Sequence, residues 1–357
     1  MRVSRYATAG PEALRAESVL SVLAMAAVVT AFFAGVGSLP LFDVDEGAFS
    51  EATREMFMRH DFITPYLYGE PRFDKPILIY WLQALSVAVF GWSEFAVRLP
   101  SALAATGWAW AIFLFLLRLG RRRQGLLAVC IMATSLLVPI LGTAAIADAL
   151  LNLFLSAAMF SIYLYHHEGR RAWVYSAFAF MGLGFLTKGP IAVAIPFVVS
   201  ALFFAARGRW RTWLRAAFDP IGLALFALIT VPWYAMEIAA QGWSFIDGFF
   251  GRHNLGRFTG TMEGHGGGYF YYIPVALMAL VPYTAVFVKL LGRVRRWGGG
   301  DLELYLLLWF GFVFVFFSFS STKLPHYLLY GLTGVFVLLA LHFEPLRRSW
   351  LAFLPVL

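Results

Sequence analysis

Residues able to do chemistry gather at a few points in this chain. Asp43, Asp45 and Glu46 fall together in Phe42-Asp43-Val44-Asp45-Glu46-Gly47, and Asp74 adjoins Lys75 in Phe73-Asp74-Lys75-Pro76. A carboxylate at the edge of an apolar region is suited to general base catalysis, because desolvation and a neighbouring acid raise its pKa. A helix N-cap for residues 48–58 accounts for one of the three acids but not for all. Asp148, in Ala147-Asp148-Ala149, fits capping and catalysis equally well. Lys188 in Leu186-Thr187-Lys188-Gly189-Pro190 and Lys323 in Ser321-Thr322-Lys323-Leu324-Pro325 lie outside the basic clusters, so an anionic partner is expected, and a lipid phosphate would serve. Asp74 and His253 offer an oxygen and a nitrogen to a divalent metal, against the simpler reading of His253 as a hydrogen-bonded loop histidine.

The elements that must hold these groups are membrane helices. The 357 residues are 61% hydrophobic and 13% charged, with a mean hydropathy of +0.73, too apolar for a soluble domain of this length. Apolar runs of nearly the 20 residues needed to span roughly 30 Å of hydrocarbon recur throughout. They fall near 18–42, 97–117, 125–142, 149–165, 172–186, 190–206, 220–236, 270–290, 302–318 and 326–342. The expected fold is an all-α polytopic bundle of about 10 to 11 helices, one transmembrane catalytic domain over 1–357. Cys130 has no partner, and no Walker loop, dinucleotide fingerprint or zinc-protease helix occurs. The +8 charge resides mainly in short loops, as the positive-inside rule expects, so nucleic acid is set aside.

Arginines mark alternate loops, at Arg118 with 121–123, at 170–171, at 207–215, at 293–296 and at 347–348. With these inside, the N-terminus is cytoplasmic and the acids and Lys188, Lys323 and Tyr327 face out. Two long outer loops follow, 43–100 and 237–268. The apolar stretch 77–91 is short for a span, so it is expected to lie on the outer surface as an interfacial helix. Tyr80–Trp81, Trp233–Tyr234 and Tyr269–Tyr272 read as interfacial aromatic belts.

The order of motifs resembles a family. Asp45-Glu46, Phe73-Asp74-Lys75-Pro76, Glu94 to Ser101, Ala147-Asp148-Ala149, Leu186 to Pro190, Pro232-Trp233-Tyr234, Arg252-His253 with Arg257-Phe258, and Lys323-Leu324-Pro325-His326-Tyr327 are similar to the GT-C membrane glycosyltransferases. The resembling branch is that of the bacterial aminoarabinose transferases that modify lipid A, with the protein O-mannosyltransferases more distant. The resemblance implies an undecaprenyl-phosphate-linked sugar donor entering from the bilayer and an outer-face acceptor, at the periplasmic side of a bacterial inner membrane. The acceptor would be lipid A, another envelope glycan or a protein.

It also implies roles. Asp45 would be the general base, with Glu46 beside it and Asp148 as a second acid. Lys75, Arg257 and Tyr327 would bind the donor phosphate, with Lys323 and Lys188 as helpers. Asp74 and His253 match a zinc-like site, with aspartate where the family has glutamate, and no metal is required for the chemistry. The family continues past residue 357 into further helices and an outer soluble domain, which is expected to be absent here. The rival class is a transporter, but broken helices and pseudo-symmetric halves are not evident.

Overall fold

In a computed structural model the chain is described at residues 11–42, 44–256, 260, 266–292 and 300–343, with side chains from residue 15 and without that of Asn254. Asp43 and Arg257 lie outside the described residues. Among those described, the protein is helical apart from a two-stranded hairpin, Tyr66–Leu67 paired antiparallel with Glu70–Pro71. Helices α1 (Pro11–Phe33), α2 (Asp45–Arg59), α3 (Leu78–Phe90) and α4 (Glu94–Arg118) come first. Next are α5 (Arg122–Thr134), α6 (Leu137–Thr143), α7 (Asp148–Glu168), α8 (Arg171–Lys188) and α9 (Ile191–Ala206). A short α10 (Trp210–Ala217) leads to α11 (Pro220–Gln241) and α12 (Trp243–Phe245), which runs into a π-helix at Ile246–Gly256. The series ends with α13 (Tyr272–Ala279), α14 (Thr284–Leu291), α15 (Asp301–Phe319) and, after a 3-10 turn at Pro325–Leu328, α16 (Leu329–Leu341).

Five helices, α1, α4, α7, α11 and α15, are long and apolar enough to cross a membrane, and α5 with α6 forms one more apolar unit bent by 77°. At 1.5 Å per residue the 21 residues of α7 reach about 31 Å, the thickness of the hydrocarbon core. Polar side chains start two of these helices. Ser93 accepts from the Ala96 amide at α4, and Asp219 accepts from Ile221 and Gly222 at α11, where Pro220 occupies the first turn.

The bundle has two chemically distinct ends. At one, Arg118 forks onto Glu168 at 2.6 and 3.0 Å, and Asp301 receives His166 at 2.7 Å and Arg207 at 2.8 Å. The other end carries Asp148, Lys188 and Lys323, separated from the arginines along the chain as the loop charges predict. Both termini of α3 belong to this second end, since the segment before it holds Lys75 and the turn after it starts α4. At 13 residues α3 is about 20 Å long and does not run the length of the bundle. Gln83 in its middle donates to the carbonyls of Val97 and Ala145 and accepts from Thr53, fixing it against the starts of α4 and α7.

Three expectations need correction. Residues 237–268 do not begin as an open loop: 237–241 complete α11, and 243–256 continue helically because Phe245 and Phe249 stack at 5.5 Å and bury themselves beside Tyr234. The remaining stretch, 257–259 and 261–265, is outside the described residues. Tyr80, Trp233, Tyr234 and Tyr272 are buried rather than forming an interfacial belt. Trp81 and Trp233 donate their indole N–H groups to the carbonyls of Phe62 and Ile63, tying the segment between α2 and α3 to the helices.

Glu46, expected beside the catalytic base, is instead a buried structural acid. Its carboxylate takes Arg98 in a fork at 2.8 and 2.6 Å and also accepts the amides of Phe42 and Ala145 at 2.7 Å. Arg98 in turn donates to the carbonyls of Val36, Leu39 and Pro40, which the chain leaves unpaired after α1. Burial alone would raise the Glu46 pKa, but the hydrogen bonds from Arg98 and the two amides outweigh it and hold it below 4.5. A carboxyl depressed on folding stabilises above its unfolded pKa and loses that contribution as pH falls through the folded value. Glu46→Gln is therefore expected to destabilise the detergent-solubilised protein by about 3 kcal/mol at neutral pH, with the gap from the parent closing as pH falls below that value. A pH series of thermal unfolding curves checks it, and a gap constant with pH would contradict the assignment.

Candidate active site

A cavity of about 420 Å³ opens at the Asp148 end of the bundle. One wall is polar, with Asp74, Lys75, Lys188, His253 and Tyr327, and the remainder is largely apolar, with Ile191, Phe250, Phe316 and Phe317 among its residues. Four segments far apart in sequence supply the polar wall. The segment before α3 brings Asp74 and Lys75, the π-helix brings His253, α8 brings Lys188 and the 3-10 turn brings Tyr327.

Asp74 is the centre of the first group. Its Oδ1 receives Lys75 Nζ at 2.7 Å and lies 3.4 Å from His253 Nδ1, while Oδ2 receives Arg72 at 3.2 Å. Arg72 also donates to the Tyr80 hydroxyl at 3.2 Å. Burial pushes that hydroxyl up to about 12, so it remains a neutral partner. Burial opposes the charge on Arg72, but Tyr80, Asp74 and Asp45 together outweigh it and raise its pKa. Asp45 thus contributes to the field here, although it is exposed in the first turn of α2 and does not line the cavity.

The second group is more deeply buried. Lys188 Nζ donates to Asp148 at 2.7 Å and to the Tyr330 hydroxyl at 2.7 Å, and Tyr330 donates to the same Asp148 oxygen at 2.6 Å. His326 Nε2 lies 3.9 Å from that oxygen. Trp309 fixes the backbone beneath by donating to the Tyr330 carbonyl at 2.7 Å. Gly189 follows Lys188 at φ +75, and a Cβ there would sit 2.5 Å from the Phe249 ring, so this turn needs glycine for its conformation and for the close approach.

These contacts revise several readings. Asp148 makes no cap contact at the start of α7, so the capping alternative falls away. The anion expected at Lys188 is Asp148 itself. Lys323 is satisfied by carbonyls at the end of α15, donating to Ser318 and Ser320 at 2.7 Å each, and burial lowers its pKa. Backbone carbonyls, not a carboxylate, hold its ammonium. Sequence reasoning missed Arg72 and Tyr330. Tyr330 lies one helical turn beyond Tyr327, a spacing that places both near one face and was available in the sequence.

Asp74 and His253 do converge, but Asp74 is already held by two cations, and no group of three or more His, Cys, Asp or Glu suited to a metal exists among the described residues. A divalent ion would have to displace the Lys75 ammonium, so the described donors do not fit one.

Residues 74–235 match the model of the dolichyl-phosphate-mannose-protein mannosyltransferase family. The undecaprenyl phosphate-alpha-4-amino-4-deoxy-L-arabinose arabinosyl transferase of Aeromonas salmonicida is 34% identical over 81% of this chain and 54% of its own length. Its counterpart in Erwinia tasmaniensis is 33% identical over 85% of the chain and 55% of its own length. The chain thus spans about half the length of the curated relatives it matches. Among solved structures, ArnT from Cupriavidus metallidurans bound to undecaprenyl phosphate superposes with a TM-score of 0.85 at 25% identity, over 93% of this chain and 62% of that one. The archaeal oligosaccharyltransferase AglB from Archaeoglobus fulgidus shares the fold, with a TM-score of 0.60 at 14% identity over 95% of this chain and 53% of that one.

Removing one member of the buried group strands the other. Asp148→Asn leaves Lys188 without a countercharge and is expected to cost about 3–5 kcal/mol of stability. Asp148→Asn combined with Lys188→Met should recover part of that loss in thermal unfolding, and a double variant no better than the single would argue against a direct pair.

Proposed function

Because this chain belongs to the aminoarabinose-transferase branch of the GT-C membrane glycosyltransferases, we propose that it transfers a sugar from a polyprenyl phosphate carrier to an acceptor at the periplasmic face of a bacterial inner membrane. The observation that carries this reading is the mixed character of the cavity. Lys75 and Tyr327 stand on one wall and phenylalanines on another, as a phosphate head with an isoprenoid tail requires. The donor named for the relatives, undecaprenyl phosphate 4-amino-4-deoxy-L-arabinose, is the proposed substrate, and lipid A the proposed acceptor. A transporter would place its charges near the bilayer midplane, whereas here they sit at one end of the bundle.

In this proposal an acceptor oxygen attacks C1 of the sugar as the C1–O bond to the carrier breaks, and the bonding pair stays on the phosphate. Charge builds on that phosphate in the transition state. Lys75 and Tyr327, with Arg257 as a further expected cation, stabilise it in a site of low dielectric. Asp45 takes the proton of a hydroxyl acceptor. Its exposed position suits a group that meets the incoming acceptor rather than the buried donor. An acceptor that is itself an ionised phosphate needs no base, and Asp45 then orients it. Asp148 acts through Lys188 and Tyr330, which keep the cavity wall in place.

The two charges are needed at different moments, which separates them kinetically. Asp45→Asn is expected to leave donor affinity intact while turnover on a hydroxyl acceptor falls by roughly 10²-fold to 10⁴-fold. Lys75→Ala should weaken donor binding and turnover together, because its charge meets the phosphate in the ground state and more strongly as it leaves. Purified variants with synthetic lipid-linked sugar, followed by mass spectrometry of the glycosylated acceptor, check both. Full activity of Asp45→Asn on every acceptor would remove it as the base, and intact donor affinity in Lys75→Ala would remove Lys75 from the phosphate site.

A further inference from the structure

A second cavity, of about 260 Å³, lies toward the arginine-bearing end of the bundle, away from the donor pocket. It is a slot between α7, α8, α9 and α11, closed at its end by α10, and its lining is almost wholly hydrocarbon. Along α9 it runs from Val193 to Phe204, about 16 Å at 1.5 Å per residue, and along α8 from Val174 to Met181, about 10 Å. Half of a hydrocarbon core of roughly 30 Å is about 15 Å, so the slot has the reach of one leaflet. Phe197, Leu223 and Phe218, at 45%, 44% and 63% exposure, leave it open on the side toward the bilayer. The hydroxyl of Ser200 inside it is already satisfied, donating to the Phe197 carbonyl and accepting the Trp213 indole N–H at 2.9 Å.

The floor helix supplies the second observation. Trp213, Ala216 and Ala217 of α10 face the slot, while Arg211 and Arg215 are exposed on the opposite side, the arrangement of a helix lying in the headgroup region. Arg171 stands one turn before Val174 at the slot's edge, with its side chain 76% exposed and 3.9 Å from Asp219. The acids nearby are already engaged: Asp219 is turned inward to cap α11, and Glu168 is held by Arg118. Three arginines therefore stand at the closed end of an apolar slot about one leaflet long, Arg171 at the start of α8 and Arg211 and Arg215 on the exposed face of α10.

We propose that this slot holds one acyl chain of an anionic phospholipid from the adjacent leaflet, with its phosphate among Arg171, Arg211 and Arg215. Basic pockets between transmembrane helices recognise such headgroups by charge, and the slot adds chain burial to that attraction. The site is independent of the transfer reaction and shares no lining residue with the donor cavity.

Native mass spectrometry of the detergent-purified full chain tests it, with phosphatidylglycerol and phosphatidylcholine of identical chains as probes. Phosphatidylglycerol should form the predominant one-lipid adduct. Arg171→Gln with Arg215→Gln should reduce its affinity by about fivefold per arginine, to the level of phosphatidylcholine. Val193→Trp, which fills the inner end of the slot beside a partly exposed position, should reduce binding of both lipids. Thermal unfolding of each variant shows that it is folded, and the surface arginine variants carry the test alone if the tryptophan is not tolerated. Equal binding of the two lipids by the parent protein, or an undiminished preference in the arginine variants, overturns the proposal.

Discussion

The segment between α1 and α4 stays on the bundle because the Glu46 carboxylate is shared between a guanidinium and two backbone amides. At a membrane boundary the backbone that follows a helix cannot count on water, and each unsatisfied group there is costly. Arg98 answers for the carbonyls of Val36, Leu39 and Pro40, and Glu46 answers for Arg98 while fixing the amides of Phe42 and Ala145. One ion pair thus joins the end of α1, the start of α2, the first turns of α4 and the approach to α7. The position of Asp45 follows from it, being one residue from Glu46, and so does that of Asp148, three residues beyond Ala145.

Other cations at this end are likewise absorbed by the protein, each in a different way. Lys188 is neutralised by Asp148, whereas Lys323 is solvated by carbonyls at the end of α15. Lys75 differs in that its partner, Asp74, is itself shared with Arg72 and stands against His253 at the cavity wall. Two cations thus share one carboxylate there.

Much of this was legible from the chain. Apolar runs and arginine loops give the helices and their two ends, because hydrocarbon thickness and loop charge are strong constraints written in composition. The meeting of Asp74 with His253, and of Asp148 with Lys188, is a matter of tertiary placement that periodicity does not carry. Glu46 illustrates the difficulty. Next to Asp45 in sequence, it points into the bundle while Asp45 faces water, since successive residues on a helix lie about 100° apart. Residues 243–256 differ from a loop for a related reason: their glycines and charges suggest one, yet Phe245 and Phe249 find an aromatic partner in Tyr234 on α11 and the stretch is helical.

The knot of Asp148, Lys188 and Tyr330 is hard to justify by stability alone. Taking an ion pair out of water costs several kcal/mol per ion, and well-packed apolar residues in its place are often as stable or more so. Its value is in geometry. Three short hydrogen bonds from three different helices meet at one carboxylate oxygen and its two donors, and they allow little freedom of relative position. Tyr327 sits one turn from Tyr330 on the cavity wall, so the knot fixes the hydroxyl-bearing face of the cavity. A packed apolar cluster would hold the helices together, but having no directional hydrogen bonds it would not set the orientation of that face.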